Sequence, residues 1–180
     1  GAGLRSPVTS AGTPLGSKLG SLVSPVEIGP GTADPDALPL ALTLPCWTLL
    51  GMMDGAMSMT RQHLLDRKQF GQPLASFQAL QFRLADTATA LQGYEELAKY
   101  TLWSVTTRRP GALVDALACR LAAIETADTL FRTGHQLHGA MGFTDQCDIG
   151  LYLKRAIALN ATLGQPEELR LAFLSAERAA

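Results

Sequence analysis

Three long stretches of helical periodicity, separated by turns of only a few residues, constrain the fold of this 180-residue chain more than any other feature. Hydrophobic residues recur every three or four positions over residues 36–67, 76–107 and 112–137, as they do on the buried face of a helix. Gly- and Pro-containing turns separate the stretches. Because short connections make consecutive helices antiparallel, the sequence predicts a mainly α fold, an antiparallel helical bundle.

Two shorter helices are predicted to follow, one from Asp148 to Gly164 and one from Pro166. In the first long helix, Pro45 should produce a kink or mark the true start. The residues predicted to face inward are Cys46, Leu49, Leu50, Met53, Met57 and Leu64 in the first helix, Phe77, Leu80, Leu84, Ala88, Leu91 and Leu97 in the second, and Leu113, Leu117, Leu121, Ile124 and Leu130 in the third.

Residues 1–36 differ from the rest in composition, because they are rich in Gly, Ser, Thr and Pro and carry few charges. Pro25 would confine any strand in this segment to a sheet edge. The segment lacks the residues for a core of its own. We therefore predict that residues 1–36 form an irregular or short-β arm or the remnant of a β-domain, followed by a bundle domain over residues 37–180.

Composition and charge exclude several classes of partner. The net charge is -1 and no basic, aromatic-rich patch is present, so nucleic acid is not expected as a partner. The uncharged run over residues 37–53 contains two prolines and is short for a bilayer, which favours a buried helix and no membrane. Three scattered cysteines are typical of reduced thiols in a cytoplasmic protein.

Two segments contain residues suited to an anionic or nucleotide ligand. Arg67 ends a helix beside a turn, where a guanidinium can bind a pyrophosphate through two parallel hydrogen bonds. The alternative for this segment is a plain corner between two helices with a solvated arginine. At the end of the third helix, Gly139 would let the backbone approach a ligand, and Gln136 offers a donor and an acceptor.

Taken together, Arg-x-x-Phe-Gly-x-x-Leu-x-x-x-Gln from Arg67, Gln-x-x-Gly-x-x-Gly-Phe from Gln136, and Tyr-Leu-Lys-Arg-Ala from Tyr152 resemble the C-terminal helical domain of the acyl-CoA dehydrogenase family. The resemblance implies FAD as cofactor, an acyl-CoA substrate and a homologous partner subunit. It implies FAD contacts by Arg67, Gln69, Phe70, Leu74, Gln78, Gln136, Gly139 and Ala140, and acyl-substrate contacts by Leu49, Met52, Met53 and Ala56. Gln69 stands where a small hydroxyl residue is common in the family, and Ala140 where a second glycine is common.

The resemblance also implies that the catalytic base is absent. The family's usual glutamate position falls on Leu163, the known alternative position falls on Ala41, and Gln165 replaces a flavin-contacting threonine. A chain of this kind resembles one subunit of the heteromeric, heterotetrameric acyl-CoA dehydrogenases of steroid side-chain degradation, in which the partner supplies the carboxylate. Two alternatives remain open: a self-sufficient homomeric enzyme with a displaced base, with Glu167 as the candidate, and a helical scaffold without flavin.

The histidines carry no predicted chemistry. His135 and His138 are spaced as two metal ligands could be, but no third ligand is suitably placed in the sequence, so packing or capping is the interpretation and no metal is expected. His63 is predicted to be an interfacial residue of the first helix.

Overall fold

The computed structural model describes residues 37–144, 147–162 and 164–179. These ranges contain five helices: α1 (Ala37–Asp66), α2 (Gln78–Thr106), α3 (Ala112–His138), α4 (Ile149–Asn160) and α5 (Pro166–Ala179). The predicted helical bundle is confirmed. The predicted arm over residues 1–36 lies outside the described residues.

Helix α1 continues without a break through Pro45, so the prediction that this proline marks the helix start is wrong. The proline cannot donate to the preceding turn. In the same part of the helix, Thr43 Oγ1 donates to Pro39 O at 2.8 Å and Cys46 Sγ to Leu42 O at 3.2 Å. Among the described helices, α1 is the one long and apolar enough to cross a membrane by length and composition alone. In this structure its apolar stripe packs against α2, α3 and α4.

The connection between α1 and α2 is a tight β-hairpin, where the sequence predicted only a turn. Strands β1 (Lys68–Gln69) and β2 (Gln72–Pro73) pair antiparallel, with Gln69 opposite Gln72. Two-residue hairpin loops favour positive φ at both central positions, and Phe70 and Gly71 have φ values of +53° and +80°. Glycine adopts this conformation freely, whereas Phe70 is strained in it.

Helix α3 is the centre of the bundle, because it packs against α1, α2, α4 and α5. Its small residues allow close approach: a Cβ on Gly134 would lie 3.3 Å from Thr60 Oγ1 and would collide with the Ile149 side chain. Tyr94 Oη donates to Cys46 O at 2.8 Å and joins α2 to α1. The main core consists of Cys46, Leu49, Met53, Ala56, Leu91, Tyr94, Ala98, Cys119, Ala123, Ala127, Leu130, Phe131, Ile149 and Ala156.

Helix α2 is buried mainly along its second half. Of the six residues predicted to face inward, only Leu91 is buried, and Phe77, Leu80, Leu84, Ala88 and Leu97 are partly buried. In the first part of the helix, up to Ala90, Thr87 is the one buried residue among those described. The periodicity therefore identified the face of α2 that points inward, but other residues of this chain bury only part of that face.

A buried arginine fixes the end of α4. Arg120 of α3 has no exposed surface, and its guanidinium donates to Leu159 O at 3.0 Å, Thr162 O at 3.3 Å and Asn160 Oδ1 at 3.2 Å. These bonds satisfy carbonyl groups that a helix end leaves without partners. Helix α4 thus ends at Asn160 rather than at Gly164, although Gly164 has the expected left-handed φ of +107°.

Candidate functional site

A groove of about 460 Å³ lies where the end of α1, the hairpin, the start of α2 and the end of α3 meet. This volume is within the range of small-ligand and cofactor sites. Six of the eight residues predicted to contact FAD line it, together with seven residues that were not predicted. The lining residues are His63, Arg67, Gln69, Leu74, Ala79, Leu80, Arg83, Gln136, Leu137, His138, Gly139, Ala140 and Met141.

The hairpin places Arg67 and Leu74 at the groove. Arg67 N donates to His63 O at 2.9 Å as the last bond of α1, and Leu74 N donates to Arg67 O at 2.8 Å, which closes the hairpin on the helix end. On the α2 side, Gln81 Nε2 donates to Ala75 O at 2.7 Å. The backbone that carries Arg67 is therefore held from both sides.

The end of α3 forms the opposite wall. Gly139 caps the helix with φ +59° and ψ -139°, and its N–H donates to Gln136 O. This conformation suits glycine and lets the chain turn directly into a short 3-10 segment, Gly139–Phe143. Gly142 lies against the helix end, where a Cβ would approach His135 O at 3.1 Å. The Gly-containing segment is thus folded back tightly on α3.

The charge of the groove is positive. Arg67 and Arg83 line it, and none of its lining residues is Asp or Glu. In the part of the chain that the structure describes, no carboxylate lies within 4 Å of either guanidinium. The amides of Gln69 and Gln136 add neutral donors. Two cations without an ion-pair partner among the described residues, beside neutral donors, form an arrangement suited to an anion such as a phosphate.

Sequence reasoning missed Arg83. It follows the lining residues Ala79 and Leu80 at the three- and four-residue spacing of one helix face. That spacing, combined with a prediction that the start of α2 faces the ligand, could have identified it.

A stacked pair of histidines also lines the groove. The rings of His63 and His138 have their centroids 4.4 Å apart and an interplanar angle of 23°. His138 Nδ1 lies 2.9 Å from Gly134 O, so Nδ1 carries the proton and donates to that carbonyl. The pKa of His63 is lowered, first by burial and then by the nearby His138 and Arg67, with Asp66 opposing them.

The neighbouring His135 does not line this groove. Both of its ring nitrogens are buried without a hydrogen-bond partner among the described residues, and its ring lies 5.2 Å from that of Phe143. Within the described ranges, no three His, Cys, Asp or Glu side chains are grouped as metal ligands would be.

Two of the predicted FAD-contacting residues are not brought to the groove. Phe70, at the tip of the hairpin, is 91% exposed and packs edge-to-face on Phe77 at 6.3 Å. Gln78 is exposed at the first position of α2. Neither is among the groove's lining residues.

The predicted substrate contacts require a correction. Leu49, Met53 and Ala56 have no exposed surface, because they form part of the main core between α1, α2 and α3. The stripe that the resemblance assigned to an acyl pocket is packed by this chain's own helices. Of the four predicted residues only Met52 is partly exposed.

The sequence analysis named three places for a catalytic base: Leu163, Ala41 and the start of α5. Leu163 lies outside the described residues, and Ala41 is a partly buried residue of α1. At the start of α5, Gln165 N donates to Glu168 Oε2 at 2.9 Å, which is one half of a capping box. Glu167 lies 3.5 Å from Arg170 and its side chain is 77% exposed. Both glutamates therefore stabilise the helix start.

Comparisons with known proteins agree with this architecture. Residues 43–175 match the family model described as "Acyl-CoA dehydrogenase, C-terminal domain". The chain is 32% identical over 140 residues to acyl-CoA dehydrogenase IpdE2 of Mycobacterium tuberculosis, covering 78% of this chain and 41% of that relative.

Two solved structures are similar in fold. A variant of the Tcur3481–Tcur3483 steroid acyl-CoA dehydrogenase gives a TM-score of 0.74 with 26% identity, covering 81% of this chain and 41% of that one. The ChsE4–ChsE5 complex of Mycobacterium tuberculosis gives a TM-score of 0.70 with 25% identity, covering 78% and 38%. Each comparison spans about two fifths of the relative. Since the family model matches most of the chain, the protein belongs to the acyl-CoA dehydrogenase family, through that family's C-terminal domain.

Proposed function

We propose that this chain belongs to a flavin-dependent acyl-CoA dehydrogenase, in which its groove binds the ADP part of FAD and a homologous partner subunit supplies the carboxylate that removes the α-proton. The substrate class is an acyl-CoA thioester, with a steroid side-chain CoA as the specific candidate. The compartment is the cytoplasm.

The observation that carries the proposal is the positive groove. Arg67 and Arg83 have no ion-pair partner in the described part of the chain, and the amides of Gln69 and Gln136 face the same space. A diphosphate offers the paired oxygens that guanidinium groups bind, and the exposed backbone of Gly139 allows it a close approach. The donor set therefore fits the ADP part of FAD.

In this assignment the chain positions the cofactor and does not perform the proton transfer. FAD, when bound, supplies the hydride acceptor for oxidation of a CH–CH bond. Arg67, Arg83 and Gln136 hold the diphosphate and so fix one end of the cofactor. The side chains of Ala41 and Leu163 contain no group that accepts a proton. Glu167 and Glu168 are engaged at the start of α5.

A partner subunit is supported by the relatives as well. One structural neighbour is named for two components, Tcur3481–Tcur3483, as a steroid acyl-CoA dehydrogenase, and another is named as the ChsE4–ChsE5 complex. The absence of a proton acceptor at the two expected positions makes an assembly of this kind the economical explanation. The alternative is a homomeric assembly, and the experiment below distinguishes it from the heteromeric one.

The test is co-expression with a homologous acyl-CoA dehydrogenase subunit that carries the catalytic carboxylate, followed by a flavin absorbance spectrum and dye-linked oxidation of acyl-CoA. We expect flavin and turnover in the pair and no turnover in the chain alone. Arg67→Met should remove flavin from the pair. Arg132→Met is the matched control, because Arg132 is exposed and already paired with Asp128 at 2.7 Å.

Two results would contradict the proposal. Turnover by the pure chain that Glu167→Gln abolishes would indicate a self-sufficient enzyme. A colourless pair whose assembly and activity do not respond to Arg67→Met would indicate a scaffold without flavin.

A further inference from the structure

The stacked histidines give the groove a second property besides its positive charge. His63 lies four residues before Arg67 on α1, lines the same groove, and stacks on His138 of α3 at 4.4 Å. In the part of the chain that the structure describes, neither ring nitrogen of His63 has a hydrogen-bond partner. His138, in contrast, is committed to Gly134 O. His63 is therefore the histidine of the pair that can bond to a ligand.

We propose that His63 is a further phosphate-binding residue of this groove, and that its imidazole takes up a proton from solvent when a diphosphate binds. This inference rests on the proposed function and adds a residue and a proton to it. An imidazolium donates charge-assisted hydrogen bonds to phosphate oxygens, whereas a neutral imidazole offers one weaker donor.

The charges around His63 explain why the proton arrives with the ligand. Its surroundings are His138 on α3, Arg67 and Asp66 on α1, and Arg83 on the α2 side of the groove. Without a ligand, burial, His138 and Arg67 all disfavour the protonated ring, and the opposing effect of Asp66 is the smallest of the four. A diphosphate placed between Arg67 and Arg83 reverses the sign of this field.

The direction in which the affinity for a diphosphate changes with pH follows from the thermodynamic linkage between proton binding and ligand binding. The pKa of His63 is lowered below 6.5 in the free chain, and a bound diphosphate raises it. Between these two values the complex holds more protons than the free chain does. Affinity must therefore increase as the pH falls through this window, by at most about tenfold per pH unit for one proton. Below the free-state pKa the dependence ends.

The experiment is calorimetric titration of the purified chain with ADP-ribose, whose diphosphate is esterified at both ends and keeps a constant charge where histidine titrates. Titrations in buffers of different ionisation enthalpy, from about pH 8 to about pH 6, give the number of protons taken up. We expect net uptake and tighter binding at the lower pH. Adenosine, which has no phosphate, should bind without proton uptake.

Two variants test whether His63 is the group that takes up the proton. His63→Gln should bind ADP-ribose with little uptake and a flat pH profile. His135→Gln is the matched control, because His135 does not line the groove, and it should retain the uptake. Since the chain has only three histidines, NMR titration of their ring protons provides an independent readout in the unmutated protein. The His63 resonance should titrate at a higher pH with ADP-ribose than without it.

The outcomes separate this inference from the proposed function. Binding of ADP-ribose that Arg67→Met weakens, without proton uptake or with uptake that persists in His63→Gln, would overturn the role of His63 alone. A His63 resonance that titrates at the same pH with and without ligand would do the same. If ADP-ribose binds neither the chain nor the Arg67→Met variant, the anion groove itself is wrong, and both proposals fall.

Discussion

The interior around Arg120 and the groove around Arg67 use the same side chain in opposite ways. Arg120 has no exposed surface, and three oxygens of residues 159–162 accept hydrogen bonds from its guanidinium. Arg67 and Arg83 line an open groove, and within the described residues no carboxylate lies within 4 Å of them.

The difference separates a cation that is bonded within the fold from two that are free to bind the ligand proposed above. A buried charge is tolerated where surrounding groups bond to it. The two Nη groups of Arg120 make three hydrogen bonds within its own chain, while its buried Nε has no partner among the described residues. Burial lowers its pKa, but the group stays bonded at the end of α4. Two unpaired cations that share a groove repel each other and add nothing to stability. Their arrangement is favourable only when an anion lies between them.

The largest expected effect concerns the interior and tests the corrected substrate residues. Leu49→Ala should lower the free energy of unfolding by about 4 kcal/mol, because it removes a fully buried side chain from the main core. Urea denaturation followed by circular dichroism measures it. Leu44→Ala, at a position 57% exposed on the same helix, should change it by less than about 1 kcal/mol. If Leu49→Ala left the free energy of unfolding unchanged and weakened acyl-CoA binding, Leu49 would be a substrate-contacting residue and not a core residue.

Arg120→Met should lower the free energy of unfolding by about 3 kcal/mol, because it leaves Thr162 O and Asn160 Oδ1 without the guanidinium that donates to them. The affinity of the folded protein for ADP-ribose should not change. Arg132→Met, which breaks an exposed ion pair with Asp128, should change stability by less than about 1 kcal/mol. If Arg120→Met weakened ligand binding while stability was unaffected, the contrast between the two regions would be lost.

Arg67→Met and Arg83→Met should each weaken ADP-ribose binding about tenfold or more, since each removes a charge-assisted hydrogen bond. The free energy of unfolding should stay within about 0.5 kcal/mol of the parent value, because neither guanidinium supports the fold. Calorimetric titration and urea denaturation measure the two quantities. Arg61→Met, an exposed α1 residue outside the groove, is the control. A loss of stability without a loss of affinity would make these arginines structural.

The smallest expected effect is the pH dependence of the ligand-free chain. Because the pKa of His63 is lowered in the folded state, the unfolded chain binds a proton more readily. The contribution of His63 to stability is complete above 6.5 and is lost as the pH falls from there to the folded-state pKa. Unfolding curves in this range should be flatter for His63→Gln than for the parent. Equal slopes would show that His63 is not held in a proton-disfavouring site.

The sequence predicted the helices well because helix formation depends on local periodicity. Helices α1, α3 and α5 begin within one residue of the predicted positions, and the face of α2 was identified even though this chain covers only part of it. The two segments singled out as ligand-binding, at Arg67 and at Gln136, line the same groove. Each lies at a helix end, where Gly, Pro and Arg indicate a turn and a possible anion contact.

Other features depended on contacts between residues distant in the chain. A hydrophobic stripe predicts burial but does not say whether its residues face a core or an acyl pocket. Periodicity placed Leu49 and Met53 on the inward face, and the family resemblance assigned Leu49, Met53 and Ala56 to substrate. Arg83 appeared as an ordinary surface residue of a helix. His63 and His138 are 75 positions apart, and only the packing of α1 on α3 stacks their rings.

The sequence by itself determined which segments are helical, where most of them begin, and that the chain carries the motifs of the acyl-CoA dehydrogenase C-terminal domain. These properties depend on residues a few positions apart. The tertiary structure alone decided which arginine is hydrogen-bonded inside the bundle and which two face a groove where no carboxylate of the described residues pairs with them. That outcome depends on how separate helices pack, because a charge becomes structural or ligand-binding according to the groups that other elements bring within hydrogen-bonding distance.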